Sequence, residues 1–306
     1  MNWYDKRFHS LNYELRKTFK EKVFKLSLDG GFTCPNRDGK IGTKGCLFCN
    51  ERGSGDFTGS RNNSISTQII EQKNLLSTKW PNGKYIAYFQ NFTNTYASVE
   101  LLKSKYYEAL SNSNIVGLAI ATRPDCLSYD VLELLNEINN KTYLWIELGL
   151  QTINENSALL IRRGYNNTVF EHALNELRLR NINVVVHTIL GLPYETTNDM
   201  FNTINYIAHS DIQGIKFHLL HILYNTDLYD FYMSNKFKLL SQDEYINLIV
   251  DFLELLPPNI VIHRTTGDAP KNSLFAPLWS ANKRAVLNGI DKELKNRNSY
   301  QGFNYK

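Results

Sequence analysis

The segment Asn183-Val-Val-Val-His-Thr-Ile-Leu190 is an almost continuous apolar run that is rich in β-branched residues. A strand of this composition is typical of a parallel sheet covered on both faces, because each face then needs apolar side chains. The segment is followed by Gly191-Leu-Pro193 and by an amphipathic stretch, 196–209, that begins with Thr. A strand, a loop and a helix in this order form one βα unit, so the segment predicts an α/β fold.

Similar strand-and-helix patterns repeat along the chain. Strand starts recur about every 30 residues, which is the length of one βα unit. The predicted strands are Lys22–Leu28, Lys84–Phe89, Ile115–Ala121, Tyr143–Leu148, Ile182–Leu190 and Gly214–Leu220. The predicted helices between them cover 64–78, 98–110, 128–139, 154–161, 168–179 and 196–209. The sequence therefore predicts a partial (β/α)6 barrel, similar to a TIM barrel, with a C-terminal extension.

No Pro/Gly/Ser-rich linker or low-complexity tract divides the chain. We expect a basic N-terminal segment over 1–21, the barrel core over 22–256, and a C-terminal extension over 257–306 that packs on the core. The last part of the chain contains helical patterns near 242–256 and 282–296, with a short apolar run at 260–264 between them. In a barrel of this kind function concentrates on the loops that follow the C-terminal ends of the strands.

Composition excludes several classes of protein. The chain has 306 residues, of which 42% are hydrophobic and 21% charged, so wholesale disorder is excluded. No apolar run reaches the roughly 18 residues that span a bilayer. Four Cys are too few for a secreted disulfide scaffold. We therefore expect a soluble, cytoplasmic protein without a membrane partner.

The charge distribution is uneven. The net charge of +4 is the sum of basic ends, 1–25 and 264–306, and an acidic middle. Aromatic residues are interleaved with the basic ones near the N-terminus, a mixture that stacks on bases and neutralises phosphates. The pattern indicates a polyanionic partner such as RNA. Its alternative is a solvated helix face at each end, with the aromatics packed on the barrel wall.

Three of the four Cys lie in one Gly-rich loop directly after the first predicted strand. Cys34, Cys46 and Cys49 fall within sixteen residues, and Cys126 stands alone. A redox Cys-x-x-Cys pair normally opens a helix and needs no third thiol. Structural zinc requires four protein ligands, and the loop contains no His to complete the set. An iron–sulfur cluster is the remaining choice, because soft thiolates suit it and three Cys leave one of four irons open.

One carboxylate is predicted inside the barrel. Glu147 alternates with Trp145 and Gly149 along the fourth strand, so its side chain is expected to point inward. A carboxylate in the interior is costly unless it is paired or hydrogen-bonded. Glu147 is therefore expected to face a ligand, with an internal pair to Lys or Arg as the alternative.

The cysteine loop resembles that of the radical S-adenosylmethionine (SAM) superfamily. Cys46-Leu-Phe-Cys49 matches the family's Cys-x-aromatic-Cys pair, although eleven residues separate Cys34 from Cys46 where three are usual. Long first spacings occur in the branch of the Elongator catalytic subunit and the bacterial YhcC/YtqA-type proteins. The further stretches that are similar to that branch are 31–39, 88–96, 122–125, 147–152, 163–165, 187–193 and 266–270.

The resemblance implies a 4Fe-4S cluster bound by the three Cys, with SAM chelated at the open iron and cleaved to a 5′-deoxyadenosyl radical. It implies SAM contacts at the strand ends and the following loops. The candidates are Gln90 for the methionyl amino group, Arg163 for the carboxylate, His187 near the ribose, and Glu147 with Gln151. Polar residues at the predicted mouth and beyond are the candidate substrate contacts: Arg123, Asp125, Arg264, Asp268 and Lys271. An electron donor such as flavodoxin or ferredoxin is also implied.

Three functions remain open. By its resemblance, the chain modifies the side chain of a wobble uridine in tRNA, for example from carboxymethylaminomethyl to aminomethyl. The second hypothesis keeps the radical chemistry and changes the substrate to a small metabolite. The third is a non-enzymatic metal-binding protein that interacts with RNA, since fold alone does not assign function.

Overall fold

The computed structural model describes residues 3–51, 53, 58–77, 83–268 and 272–306. The strands are β1 (Val23–Leu28), β2 (Lys84–Phe89), β3 (Ile115–Thr122), β4 (Tyr143–Gln151), β5 (Asn183–Leu190), β6 (Gly214–Leu219), β7 (Ile222–Leu223), β8 (Val261–Arg264) and β9 (Leu274–Ala276). The first six strands agree with the predicted ones to within three residues at each end, which confirms the α/β architecture.

The helices alternate with the strands as expected. They are α1 (Leu11–Phe19), α2 (Ile65–Ser77), α3 (Val99–Leu110), α4 (Tyr129–Asn139), α5 (Glu155–Leu160), α6 (Asn167–Leu179), α7 (Thr197–Ala208), α8 (Asp227–Asn235), α9 (Gln242–Leu255) and α10 (Lys283–Asn296). Side chains cap several of them; Thr196 and Asp199, for instance, form a capping box at the start of α7. No helix in the described part of the chain has both the length and the apolar character to cross a bilayer.

The main sheet contains seven parallel strands in the order β1-β2-β3-β4-β5-β6-β8, so β1 and β8 form its edges. The seventh strand is a difference from the predicted six. Val261–Arg264, which the sequence places in the C-terminal extension, pairs with β6. A second, two-stranded sheet joins β7 and β9 in antiparallel fashion beyond the end of the barrel strands.

The sheet carries one apolar cluster on each face. The larger cluster lies between the outer face and the helices and includes Leu26, Ile146 and Phe217. The smaller cluster lies on the inner face and includes Ile86, Ala119 and Trp145. Since both clusters are buried, the sheet has the two covered faces that the apolar strands predict.

Helix α1 covers the lower end of the barrel, where the strands begin. Its Leu15 is buried in the inner cluster, and Phe19 packs edge-on against Tyr143 with ring centroids 5.4 Å apart. Just before α1, the carbonyl of His9 accepts a hydrogen bond of 2.7 Å from the Ile262 N–H. The N-terminal segment therefore packs across the start of the barrel and contacts both edge strands, β1 and β8.

The end of the chain fastens this segment in place. The Gln301 side chain is fully buried; it donates to the carbonyls of Pro257 and Ile260 and accepts from the His9 N–H, each at 2.8 Å. Its own N–H donates to the Arg7 carbonyl at 2.9 Å. One amide side chain thus joins the two ends of the described structure.

Candidate functional site

The cysteine loop, residues 30–50, follows β1 at the upper end of the barrel, and hydrogen bonds of its own backbone shape it. The Cys34 carbonyl accepts from the Arg37 N–H at 2.8 Å, and the Cys46 carbonyl accepts from the Cys49 N–H at 3.0 Å. The Leu47 N–H donates to the carbonyl of Ile161 at 3.0 Å, which ties the loop to the end of α5. These hydrogen bonds fix the loop against the barrel.

The thiols of Cys34, Cys46 and Cys49 line one cavity, which we call the cysteine cavity. A hydrogen bond with the Cys49 side chain outweighs burial and lowers the pKa of Cys46 to about 6. The Arg123 charge and the amide of Asn36, which donates to Cys46 Sγ at 3.4 Å, act in the same direction. Cys46 is therefore largely a thiolate at neutral pH, the form in which cysteine binds metals.

The three thiols fit an iron–sulfur cluster by the chemistry of their donor atoms. They are soft donors, which suit iron–sulfur clusters. Across the described residues, no three His, Cys, Asp or Glu side chains converge on a point close enough to bind one metal ion.

The cavity has a volume of about 280 Å³ and lies between the cysteine loop and the C-terminal ends of the strands. It brings together most of the residues that the sequence singled out. Those that line it are the three Cys, Gln90, Arg123, Glu147, Gln151, Arg163, His187, Arg264 and Asp268. Asp125 is not among the lining residues, and Lys271 falls outside the described residues.

Gln90 and Gln151 stand at the ends of β2 and β4, on the same side of the cavity wall. The register of β4 against β5 shifts between Gly149 and Gln151, and Gln151 adopts a φ of 67°. A bulge of this kind at a strand end redirects the side chain that follows it. Both amides therefore face the cavity, where a ligand would meet them.

Glu147 is the centre of a buried polar network. Its Oε2 accepts from Tyr88 Oη at 2.7 Å, from His187 Nε2 at 2.8 Å and from the Lys216 ammonium. Its Oε1 accepts from Trp145 Nε1 at 2.9 Å. Although burial opposes its charge, Lys216 and His187 hold the pKa of Glu147 well below the ordinary value. Glu147 points inward as predicted, but its oxygens are engaged by the protein, so the internal pair describes it better than a direct ligand contact.

Three His side chains border the cavity on the β5 and β6 side. His187 lies against His218 with ring centroids 5.0 Å apart, and His221 follows just beyond β6. Burial lowers the pKa of His221 to about 4 and that of His218 well below its ordinary value. Within the described structure, the Nε2 atoms of His218 and His221 are buried without a hydrogen-bond partner. Both are neutral imidazoles with a ring nitrogen available to a ligand.

Arg163 has a different role from the expected one. Its Nε donates to the Tyr165 carbonyl, and its Nη1 donates to the carbonyls of Leu150 and Thr152, at 2.8–2.9 Å. Its Nη2 donates to Glu155 and Asn167 at 3.1 and 3.0 Å. All five N–H donors are therefore used inside the protein. With 2% of its surface exposed, Arg163 clamps the loop after β4 and has no donor left for a SAM carboxylate.

The residue that follows Arg163 is Gly164, and its surroundings explain why a glycine stands there. Gly164 has a φ of 82°, and a Cβ there would lie 2.8 Å from Asn36 Oδ1 in the cysteine loop. Asn36 in turn donates to the Arg162 carbonyl at 2.8 Å. The backbone of the loop after β4 thus contacts the Asn36 side chain of the cysteine loop. A residue larger than glycine at position 164 would separate the two loops.

We predict that Arg163→Lys lowers the free energy of unfolding by about 2–3 kcal/mol, because a lysine cannot satisfy the buried carbonyls that the planar guanidinium reaches. Arg162→Lys is the matched control. Arg162 pairs with the exposed Asp227 at 2.6 Å, so its change is expected to cost less than about 1 kcal/mol. Urea unfolding of both variants measures the difference; equal losses would contradict the clamp.

The candidate substrate residues divide into two pairs. Arg123 forms a two-point pair with Asp125 at 2.9 and 2.7 Å and donates to the Arg163 carbonyl at 3.0 Å. Arg264 lies 3.6 Å from Asp268, whose carboxylate is held by Lys283 at 2.6 Å. Arg123 is thus fixed in the wall behind the cysteine loop, whereas Arg264 is the less constrained cation.

Tyr88 lines the cysteine cavity and Lys216 is buried in the Glu147 network; the sequence analysis identified neither as a site residue. Lys216 is 2% exposed and also donates to Tyr88 Oη at 3.0 Å. Lys25 lies over the Tyr88 ring at 4.9 Å, and burial lowers its pKa. Strand alternation was the available signal, because side chains two residues apart on a strand point to the same face of the sheet. Lys216 follows Gly214 by two residues, and its side chain lies on the inner face, as that of Glu147 does.

Comparison with protein families gives two matches that together cover most of the chain. Residues 37–207 match the radical SAM superfamily, and residues 212–296 match the Radical_SAM C-terminal domain. The first match includes Cys46, Cys49, all elements from β2 to β5, and α7 up to residue 207.

Two bacterial proteins are similar over nearly their whole length. YtqA of Bacillus subtilis is 51% identical over 97% of this chain and 92% of its own. YhcC of Escherichia coli is 36% identical over 94% of this chain and 92% of its own. The similarity therefore extends beyond the cysteine loop to both ends of the barrel.

A solved structure of archaeal Elp3 from Methanocaldococcus infernus has the same fold, with a TM-score of 0.69 at 16% identity. The match covers 91% of this chain and 64% of the archaeal one, so this chain spans about two thirds of that protein. Elongator complex protein 3 of Dictyostelium discoideum is 26% identical over 54% of this chain. The likeness to the archaeal structure concerns the fold alone.

Proposed function

Because this chain belongs to the radical SAM superfamily, whose enzymes bind a 4Fe-4S cluster and SAM, we propose that Cys34, Cys46 and Cys49 ligate the cluster. The observation that carries the proposal is that these three thiols line one cavity, with Cys46 already favoured as a thiolate. The cluster and SAM, when bound, supply a 5′-deoxyadenosyl radical for hydrogen abstraction. Cys126 stays outside this set, because burial raises its thiol pKa to about 12.

SAM is proposed to occupy the cavity beside the cysteine loop. Gln90 and Gln151 offer amide donors and acceptors at the strand ends, and His187 lies on β5, the strand that pairs with β4. In this assignment Arg163 and Glu147 do not contact SAM directly. Arg163 holds the loop after β4, and Glu147 holds His187 through a 2.8 Å hydrogen bond. The side chains that would contact SAM are thus neutral, and the charged residues Arg163 and Glu147 hold the surrounding structure in place.

We further propose that the substrate is a tRNA wobble uridine with an anionic 5-position side chain, such as carboxymethylaminomethyl. The resemblance to the Elongator-related branch supports the RNA. The charge of the cavity supports the anion, since its lining contains four Arg and two carboxylates. Arg264, together with the neutral rings of His218 and His221, is the proposed contact. A flavodoxin or ferredoxin as electron donor, and a cytoplasmic location, are part of the same proposal.

Two measurements test this function. Anaerobically reconstituted protein, given dithionite and SAM, is expected to produce 5′-deoxyadenosine, because the proposed SAM site adjoins the proposed cluster ligands. Addition of tRNA from a strain that lacks the gene should convert a modified uridine, which nucleoside mass spectrometry detects. A cluster-loaded protein that never cleaves SAM would contradict the enzymatic function. SAM cleavage with every tRNA nucleoside unchanged would contradict the RNA substrate and favour a small metabolite.

A further inference from the structure

A second cavity lies at the opposite end of the barrel, under α1. We call it the lower cavity. Its volume of about 590 Å³ falls within the range of small-molecule sites, roughly 300–1,000 Å³. Trp145 and His263 pack edge-on, with ring centroids 5.3 Å apart, and form its floor toward the polar network of Glu147. The chemistry proposed for the cysteine cavity makes no use of this space.

Aromatic rings make up much of its wall. Trp3, Tyr13, Tyr143 and Trp145 all line the cavity. Trp3 stacks on His9 with an interplanar angle of 10°, and His9 packs edge-on against Tyr13 at 5.5 Å. Ring faces and edges arranged in this way favour a planar aromatic ligand, because stacking accepts any flat π-system.

Polar groups at the opening add a second requirement. Lys17 is exposed on α1 and lines the cavity, so it offers a cation to an anionic group there. Asn183 and Asn259 also line it, and among the described residues neither side chain has a hydrogen-bond partner. An amide presents a donor and an acceptor side by side, as the edge of a nucleobase requires. Glu14, the acid on the same rim, is engaged by His9 at 2.8 Å.

The floor provides an independent indication of a ligand. His263 Nδ1 is buried and, within the described structure, has no hydrogen-bond partner. Buried polar atoms are nearly always paired with protein or water, so a cavity-lining His with an unpaired ring nitrogen favours a polar partner at this end of the barrel. His263 is closely fitted, since a Cβ at Gly214 would lie 2.7 Å from its ring.

We propose that the lower cavity binds a nucleotide. The base lies between the aromatic rings, its edge meets the amides of Asn183 and Asn259, and its phosphate pairs with Lys17. Arg16 on the same helix and Lys20 directly after it are exposed but do not line the cavity. They extend the basic surface to the phosphates that would flank the nucleotide in an RNA chain. The site is independent of the function proposed above.

The test is a titration of the intact protein with uridine 5′-monophosphate, followed by tryptophan fluorescence, because Trp3 and Trp145 border the cavity. We expect quenching by the nucleotide. Lys17→Ala should weaken nucleotide binding about ten-fold and leave uridine binding unchanged, since only the phosphate contact is lost. Tyr13→Ala should weaken both about ten-fold through lost stacking. Circular dichroism establishes that each variant is folded.

Arg16→Ala is the matched control, because it removes the same charge from the same helix outside the cavity. It should leave binding of the mononucleotide unchanged. If pentauridylate binds more tightly than the mononucleotide and Arg16→Ala weakens it, the natural ligand is RNA; equal binding identifies a free nucleotide. Absence of quenching at millimolar nucleotide, or equal losses in Lys17→Ala and Arg16→Ala, would overturn the proposal. Neither result depends on SAM cleavage, so the two proposals fail separately.

Discussion

Replacing any one of Cys34, Cys46 or Cys49 with Ala is expected to reduce the iron content of the anaerobically prepared protein from about four atoms per chain to background. Three thiolates already leave one of the four irons without a protein ligand. Loss of one thiolate leaves a second iron without a protein ligand, so the cluster is open to solvent. Among the described residues, the two carboxylates of the cavity lining give no replacement, because Glu147 is bound to Lys216 and Asp268 to Lys283. Iron and sulfide assays with the visible absorption spectrum measure the loss.

Cys126→Ala is the control for that experiment and should retain full iron content. Cys126 is not among the residues that line the cysteine cavity; its thiol lies 3.7 Å from Asp125 Oδ1, and its raised pKa disfavours the thiolate that binds metal. Loss of iron in this variant would make Cys126 a fourth ligand. The open iron, and with it the proposed place of SAM, would then be wrong.

Glu147→Ala is expected to lower the free energy of unfolding by about 3–5 kcal/mol, because it leaves the buried Lys216 ammonium without its counter-charge. The same change removes the acceptor of Tyr88, His187 and Trp145. Urea unfolding of the cluster-free protein measures the effect without interference from bound groups. A loss below about 1 kcal/mol would contradict the ionised network.

The double variant Glu147→Ala with Lys216→Met separates charge from packing. Removing both members of a buried pair is often nearly neutral, so most of the lost stability should return.

The effect of Glu147 on stability also depends on pH. Its folded pKa is lowered, so its contribution is present above the unfolded value of about 4.3 and is lost as the pH falls through the folded value. Wild type and Glu147→Gln should therefore differ most near pH 7 and converge in acid.

Much of the barrel could be predicted from the sequence because its strands are buried on both faces. The β-branched runs at 84–89 and 183–190 leave little alternative to a parallel strand. β8 was missed because Val261–Arg264 is only four residues long and contains two polar ones. α1 was not predicted, although Leu11, Leu15 and Phe19 recur at helical spacing. Its basic residues were interpreted as a surface for a polyanionic partner.

The site was predictable to a different degree. The clustering of three Cys in one loop, and the parity of Glu147 on its strand, are local patterns that a sequence displays directly. What Glu147 and Arg163 contact depends on residues 69 and 13 positions away, Lys216 and Leu150, which no local pattern specifies. Arg163 shows the consequence: a motif located the residue, but its five donors serve carbonyls rather than a ligand.

The buried Gln301 has a consequence for the order in which the molecule is made. His9 finds its acceptor on a side chain that leaves the ribosome 292 residues later, and β8, which His9 also contacts, is translated only shortly before. At about 5–20 residues per second this interval is about 15–60 s. The apolar partners of Leu15 and Phe19 on α1, which include Tyr143 and Trp145, are synthesised well before that. The N-terminal segment can thus form its apolar contacts with the inner face first, and its hydrogen bonds to β8 and Gln301 only after those later segments have been made.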